Sequence, residues 1–142
     1  MMMGNKLKLV IDTNVLLVSV SDRSAWHWLY KGIIEKRFDV FVTNAILNEY
    51  EEKIAEHWTP ETAKVVIRTL LELSNVHFTT VWYQLGLIKQ DEDDNKFCDC
   101  AFAANADYII TNDKHFNILS TITFPRINVI RLEDFKKIVT FN

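Results

Sequence analysis

Three aspartates stand where the chain passes into a turn or a helix: Asp12 closes the apolar run "LKLVID", Asp94 ends the acidic run "DEDD" just before "NKFCDCAF", and Asp113 follows "YIIT" in "YIITND". Three or four carboxylates meeting in one crevice repel each other and take up protons unless a cation neutralises them. Such a set implies a divalent ion. With no His or Cys at ligand spacing, an all-carboxylate set favours Mg²⁺ or Mn²⁺ over zinc. An ion held that way can orient a water, lower its pKa for attack on a phosphodiester, and offset charge growing on the leaving oxygen.

Each acid also has a purely structural alternative. Asp12 can bond backbone amides of the turn after a strand, Asp94 can be a plain helix cap, and Asp113 can cap "KHFNIL". Asp91 and Glu92 read as solvated loop, and Asp93 is undecided. The four histidines, His27, His57, His77 and His115, form no close pair in sequence. No Ser-centred elbow or glycine-rich phosphate loop is present, which excludes triads and P-loops.

The elements that must position these acids alternate. "LKLVID" reads as a buried first strand, Lys8 to Asp12. "SAWHWLYKGIIEKRF" is an amphipathic helix with Ser24 as its cap. "DVFVT" is a second strand, with Thr43 or Asn44 capping a helix that lines up Ile46, Leu47, Tyr50 and Ile54. In that helix Glu52 points away from the apolar stripe, while Glu49 and Glu51 flank it, and periodicity does not choose between those two. "TPETAKVVIRTLLELS" is a helix capped by Thr59 with Pro60 in its first turn. "NVHFTTVWY" is a third strand and "QLGLIKQDEDD" a connection. A helix from about Asp94 to Asn105, a strand "DYIIT", a short turn "NDKHFNIL", a strand "INVIRL" and a closing helix "EDFKKIV" complete the chain.

Strands alternating with helices mean an α/β fold with a mostly parallel sheet, in which functional groups collect at the carboxyl ends of the strands. At about 100° per residue, Phe97, Cys98 and Ala101 lie within about 60° of Asp94, so Asp94 faces inward, whereas Asp99 points roughly opposite and is expected in solvent.

The 142 residues fit one domain with a sizeable core, and nine Phe and four Trp against three Gly and two Pro describe a compact fold. Trp28, Trp58 and Trp82 look exposed, free to serve an interface or the core. A net charge of −3 argues against a surface that attracts nucleic acid through a broad basic field, so a polyanion must be held locally. Cys98 and Cys100, two apart in a helix, read as reduced core thiols. No run approaches the roughly 20 apolar residues of a membrane span, and Met1 to Asn5 is too short and polar for a signal peptide, so a cytoplasmic location is the default expectation.

The ordered set "VIDTNVLL", an acid on the second helix, "DEDDNKFCDCAFAANADYIITNDKHF" and a terminal "INVIRLEDF" resembles a PIN domain. It is similar to the small single-domain PIN proteins that form the toxin component of bacterial toxin-antitoxin systems, relatives of VapC-type toxins. The resemblance covers nearly the whole chain, 1–142. It implies a Rossmann-like three-layer α/β/α sandwich with a mostly parallel sheet of about five strands, and a metal-dependent ribonuclease site built from acids. Carried over residue by residue, it places Asp12, Glu49, Asp94 and Asp113 as catalytic and metal-holding acids with Mg²⁺ or Mn²⁺, and so settles Glu49 over Glu51. Asn14 becomes a supporting polar group, and Asp99 falls where relatives often carry an acid, against the helical geometry. Asn112 stands where relatives commonly have Gly, a replacement suited to left-handed backbone angles.

The leading expectation is therefore an endoribonuclease acting on RNA, with Lys96 and Lys114 as candidate phosphate contacts. The resemblance further implies a small antitoxin partner and a homodimer. A competing expectation is a catalytically silent PIN-fold module for nucleic-acid binding or regulation. A phosphohydrolase with an aspartyl nucleophile wants a second acid two residues after Asp12, where this chain has Asn14.

Overall fold

The computed structural model describes residues 6–89 and 91–140. Its sheet is built from β1 (Lys8–Ile11), β2 (Asp39–Val42), β3 (Val76–Phe78), β4 (Tyr108–Ile110) and β5 (Val129–Ile130). The strand order is β3-β2-β1-β4-β5, and every neighbouring pair is parallel. Leu9, Val10 and Ile11 are consecutive and all essentially inaccessible, so β1 is covered on both faces. The architecture is the expected Rossmann-like α/β/α sandwich, with a wholly parallel sheet.

The helices are α1 (Thr13–Val20), α2 (His27–Ile34), α3 (Asn44–His57), α4 (Pro60–Glu72), α5 (Asn95–Ala104) and α6 (Leu132–Thr140). Two 3₁₀ segments, Glu92–Asp94 and Lys114–Thr121, flank β4 and its preceding helix. Thr43 caps α3 by accepting from the Ile46 N–H at 3.1 Å, and Thr59 caps α4 by accepting from the Thr62 N–H at 3.0 Å. Ser24 does not cap α2. It accepts from the Trp26 N–H at 3.0 Å in a turn that ends before α2 begins. Asn105 terminates α5 in the left-handed region at φ 52, where Asn is tolerated.

Two further expectations are corrected by packing. Trp28 is half-buried against Phe135 of α6, with ring centroids 6.1 Å apart, whereas Trp58 and Trp82 are exposed. Asn112 does not adopt left-handed angles. Its Oδ1 instead accepts from the Leu132 N–H at 3.2 Å and ties the end of β4 to the start of α6.

The connections place one point of the sheet apart from the rest. The chain leaves β1 towards β2 and β3, then returns across the sheet through α5, which packs on β1, β2 and β4, and adds β4 and β5 on the other side of β1. The carboxyl ends of β1 and β4 are thus the topological switch point, where adjacent connections diverge and leave a crevice.

Candidate active site

Asp12 follows β1 directly at this switch point. Its backbone N–H donates to the Ile110 carbonyl at 3.0 Å, which extends the β1–β4 ladder by one step, and its own carbonyl accepts the first bonds of α1 from Val15 and Leu16. The residue is therefore fixed by a strand on one side and a helix on the other. Its side chain is buried, and Oδ2 accepts from the Thr111 hydroxyl at 2.7 Å. The Thr111 hydroxyl oxygen in turn accepts from the Asp113 N–H at 3.0 Å, so one buried hydroxyl spans both acids.

Asp94 ends the first 3₁₀ turn and leads into α5, and it is buried beside Phe97, Cys98 and Ala101, as helical geometry predicts. Its Oδ2 has no hydrogen-bond partner. His115 Nδ1 lies 3.5 Å from that oxygen and 3.4 Å from Asp113 Oδ1, at ion-pair distance from both. Burial first, then the charges of Asp113, Asp91 and Asp12, push the Asp94 carboxyl up to about 7, with His115 opposing. Asp12 is also raised, mainly by burial and further by Asp113 and Glu49, while the Thr111 bond works in the other direction. These shifts are those of buried carboxylates crowded together.

Glu49 reaches the same crevice from α3. Its Oε2 accepts from the Thr13 hydroxyl, and its Oε1 pairs with Lys96 Nζ at 2.6 Å. The next residue, Tyr50, donates its buried hydroxyl to the Ile11 carbonyl, which docks α3 against the end of β1. Lys96, expected as a phosphate contact, is thus already engaged by Glu49. Lys114 is exposed beside Asp113, and Asn14 is exposed on the first turn of α1.

Two residues outside the expected set join it. Ligand atoms of Asp91, Asp94 and His115 all lie within 4.8 Å of one another. Asp91, expected as solvated loop, is half-buried and caps the 3₁₀ turn through the Asp93 N–H at 3.0 Å, while Glu92 and Asp93 are exposed. The signal for Asp91 was its three-residue spacing from Asp94, which shares a face in any helical turn. For His115 it was adjacency to Asp113 in "NDKHF", which a search for His–His spacing passes over. The groups that could hold a metal ion here thus include one imidazole beside the expected carboxylates.

Asp99 contradicts the expectation of solvent. It is buried, and its Oδ1 accepts from the Leu85 N–H at 3.0 Å, because the segment after β3 folds across the outer side of α5. Burial raises its pKa, and this bond lowers it. Cys98 and Cys100 are free, buried and pushed up to about 12, chiefly by burial, as inert core thiols are.

A buried carboxylate oxygen that makes no hydrogen bond, amid three other acids, fits a divalent cation. Among the described residues, the ligand atoms that come together are those of Asp91, Asp94 and His115, while Asp12 and Asp113 are close enough for their charges to raise Asp94.

Residues 8–115 match the family model described as PIN domain, a span containing all these residues. Among solved structures the fold is similar to VapBC2 from Rickettsia felis, bound to a DNA fragment from their promoter, with a TM-score of 0.60 and 13% identity over 88% of this chain and 98% of that one. It is also similar to the T. brucei RRP44 PIN domain, with a TM-score of 0.57 and 10% identity over 96% of this chain and 83% of that one. No curated protein matches the sequence.

Proposed function

Since the chain belongs to the PIN domain family, whose fold is of nuclease type, we propose that it is a metal-dependent endoribonuclease and the toxin of a toxin-antitoxin pair. The observation that carries this reading is Asp94: buried, without a hydrogen bond at Oδ2, and raised to about 7 by burial and by neighbouring acids despite His115 3.5 Å away. A carboxylate in that state is costly unless a cation is its partner.

In this reading Asp12, Asp94 and Asp113 hold Mg²⁺ or Mn²⁺, with Glu49 completing the acid set. The bound ion supplies Lewis acidity that orients and acidifies the attacking water and offsets charge on the leaving oxygen. Thr111 keeps Asp12 in a fixed rotamer and aligns the Asp113 backbone with it. His115, with Nδ1 3.5 Å from Asp94 and 3.4 Å from Asp113, is placed to orient these two acids. Lys96 orients Glu49, and Lys114 is available to phosphate oxygen.

A small antitoxin, a homodimer and a cytoplasmic setting belong to the same proposal. Among the described residues no helix is long and apolar enough to cross a membrane.

The test is cleavage of single-stranded RNA by purified protein in Mn²⁺, set against Asp94→Asn. Loss of cleavage in a variant with unchanged folded spectra supports the reading, and equal cutting by both forms points to a contaminant and rejects it. A catalytically silent binding or regulatory module is favoured by one observation, that Glu49 is already engaged by Thr13 and Lys96. Metal binding with no cleavage of any nucleic acid would select it.

A further inference from the structure

The strand order arranges three different surfaces side by side, two at the carboxyl edge of the sheet and a third along β5, reaching from Arg126 before that strand to Arg131 after it. Beyond β3 and β2 lies a cleft of about 740 Å³ lined by Thr43, Asn44, Trp82, Tyr83, Gln84 and Lys96, among others. Beyond β1 and β4 lie the acids. Beyond β4 and β5 lies a second cavity of about 780 Å³, whose cations are Lys114, Arg126 and Arg131 and whose acids are Asp113 and Asp134. At roughly 4.8 Å between strands, the five strands give this row a span of roughly 19 Å.

We propose that these three surfaces form one track for single-stranded RNA, with unpaired bases stacking on Trp82 and Tyr83 and the backbone beyond the acids held by Lys114, Arg126 and Arg131. What happens to the strand at the acids rests on the nuclease reading, whereas the track itself does not.

Trp82 and Tyr83 are adjacent and 80% and 76% exposed, an apolar area that a solvated loop has no reason to present. Their segment is anchored where β3 ends, because the Thr79 N–H donates to the Val42 carbonyl at 2.8 Å. The rings therefore stand over the sheet edge beside Thr43 and Asn44. Around them the cleft offers threonine hydroxyls and the Asn44 and Gln84 amides, with Lys96 and the buried Asp99 as its charged members, donors and acceptors suited to base edges rather than to an apolar peptide. Lys96 links the cleft to the acid crevice through its ion pair with Glu49.

Charge makes the same choice of occupant. A chain of net charge −3 has no broad basic field to hold a polyanion, so affinity must come from stacking, which is sequence-tolerant because every base has a π-face, and from cations gathered locally. Those cations lie in the second cavity. Of its two arginines, Arg131 pairs with Glu133 at 3.8 Å, both side chains largely exposed. A duplex could not use the aromatic cleft, because its bases are already stacked.

The experiment measures binding of a fluorescein-labelled 2′-O-methyl phosphorothioate strand, about 12 nucleotides long, by anisotropy in Mg²⁺, with recovery of the intact strand checked on a gel. The full chain is expected to prefer this strand to a duplex of the same sequence. Trp82→Ala combined with Tyr83→Ala should weaken the strand tenfold or more, and Trp82→Phe should retain most of the affinity. Arg126→Gln with Arg131→Gln should flatten the slope of log K against log salt by roughly 0.7 for each phosphate that the protein no longer neutralises. Unchanged strand affinity in the aromatic variant overturns the track. So does loss of self-association in that variant with strand binding intact, which would make the rings an interface between protein chains. Binding without cleavage of an ordinary RNA in Mn²⁺ rejects the nuclease reading and leaves the track standing. Cleavage with an unchanged KM in the aromatic variant rejects the track alone.

Discussion

The Thr111 hydroxyl and the Asp12 carboxylate, 99 residues apart in sequence, form a buried hydrogen bond of 2.7 Å at the point where β1 and β4 run out. Because the same oxygen accepts from the Asp113 N–H, a single side chain sets the separation of two acids that come from different strands. Replacing Thr111 by Val keeps the shape but leaves the Asp12 oxygen and the Asp113 amide without this partner. Leaving buried groups unsatisfied costs about 1–3 kcal/mol, which denaturant unfolding should read as a lower midpoint with an unchanged m-value. Cleavage should fall in parallel. Thr111→Ser should restore both, and equal behaviour of the Val and Ser variants would reject the bridging role.

Asp94 distinguishes a helix cap from a metal-holding acid. A cap replaced by Ala loses about 0.5–2 kcal/mol whether or not metal is present. The side chain of Asp94 makes no cap hydrogen bond, and the acids around it outweigh His115 in their effect on its charge. Asp94→Asn should therefore cost little, or stabilise, in chelator-treated protein. The rise in Tm produced by Mn²⁺ should shrink, because a ligand stabilises only in proportion to its affinity for the folded state. A full metal-induced rise in the variant would remove Asp94 from the binding set.

The same carboxyl makes metal-free stability depend on pH in an uncommon direction. Its folded pKa of about 7 lies above the ordinary 3.8, so between those values the folded chain binds more protons than the unfolded one. Stability then falls as pH rises through that window, the reverse of an ion-paired aspartate. Asp12, also raised, adds in the same sense. Urea midpoints in chelator should decline from about pH 5 to 7.5, more steeply in the wild type than in Asp94→Asn, and Mn²⁺ should abolish much of the slope. A midpoint that rises over this range would contradict the crowding of the acids.

How much of this was legible beforehand depended on whether local pattern carried the information. Alternating strands and helices, the Thr43 and Thr59 caps and the placement of Asp12 after a buried strand all follow from short stretches of chain, and the structure has them. The inward direction of Asp94 was legible because Phe97, Cys98 and Ala101 mark that side of α5. Long-range partners were not. Nothing near "NDKHF" says that His115 meets Asp94, since that contact depends on how α5 crosses the sheet. Nor does one helical wheel show that α5 is covered twice. The stretch read as a bare connection is pinned to α5 at Ile88, whose N–H and carbonyl both bond the Asn95 side chain, at 2.9 and 2.8 Å. A segment with no period can still be tightly held when its bonds run through the backbone.

That covering segment gives Asp99 a role separate from the metal, and two substitutions distinguish the roles. In the structure Asp99 is an acceptor for the Leu85 N–H, and no acid of the crevice contributes to its pKa shift. Asp99→Asn keeps an acceptor oxygen and removes a buried charge, so stability should hold or rise, and the Mn²⁺-induced shift in Tm should be unchanged. Asp99→Ala leaves the Leu85 amide unpaired, at a cost of about 1–3 kcal/mol where it stays buried. Because the amide is held by this bond, its hydrogen exchange should accelerate in the Ala variant, while the core strands keep their protection. Trp82 and Tyr83, just before Leu85 in the chain, should lose their fixed place over the sheet edge, so single-strand binding should weaken in Asp99→Ala and survive in Asp99→Asn. If Asp99→Asn instead lost its response to Mn²⁺ with Leu85 still protected, Asp99 would belong with the metal-holding acids, as the family resemblance suggests, and the strap would have to be anchored elsewhere.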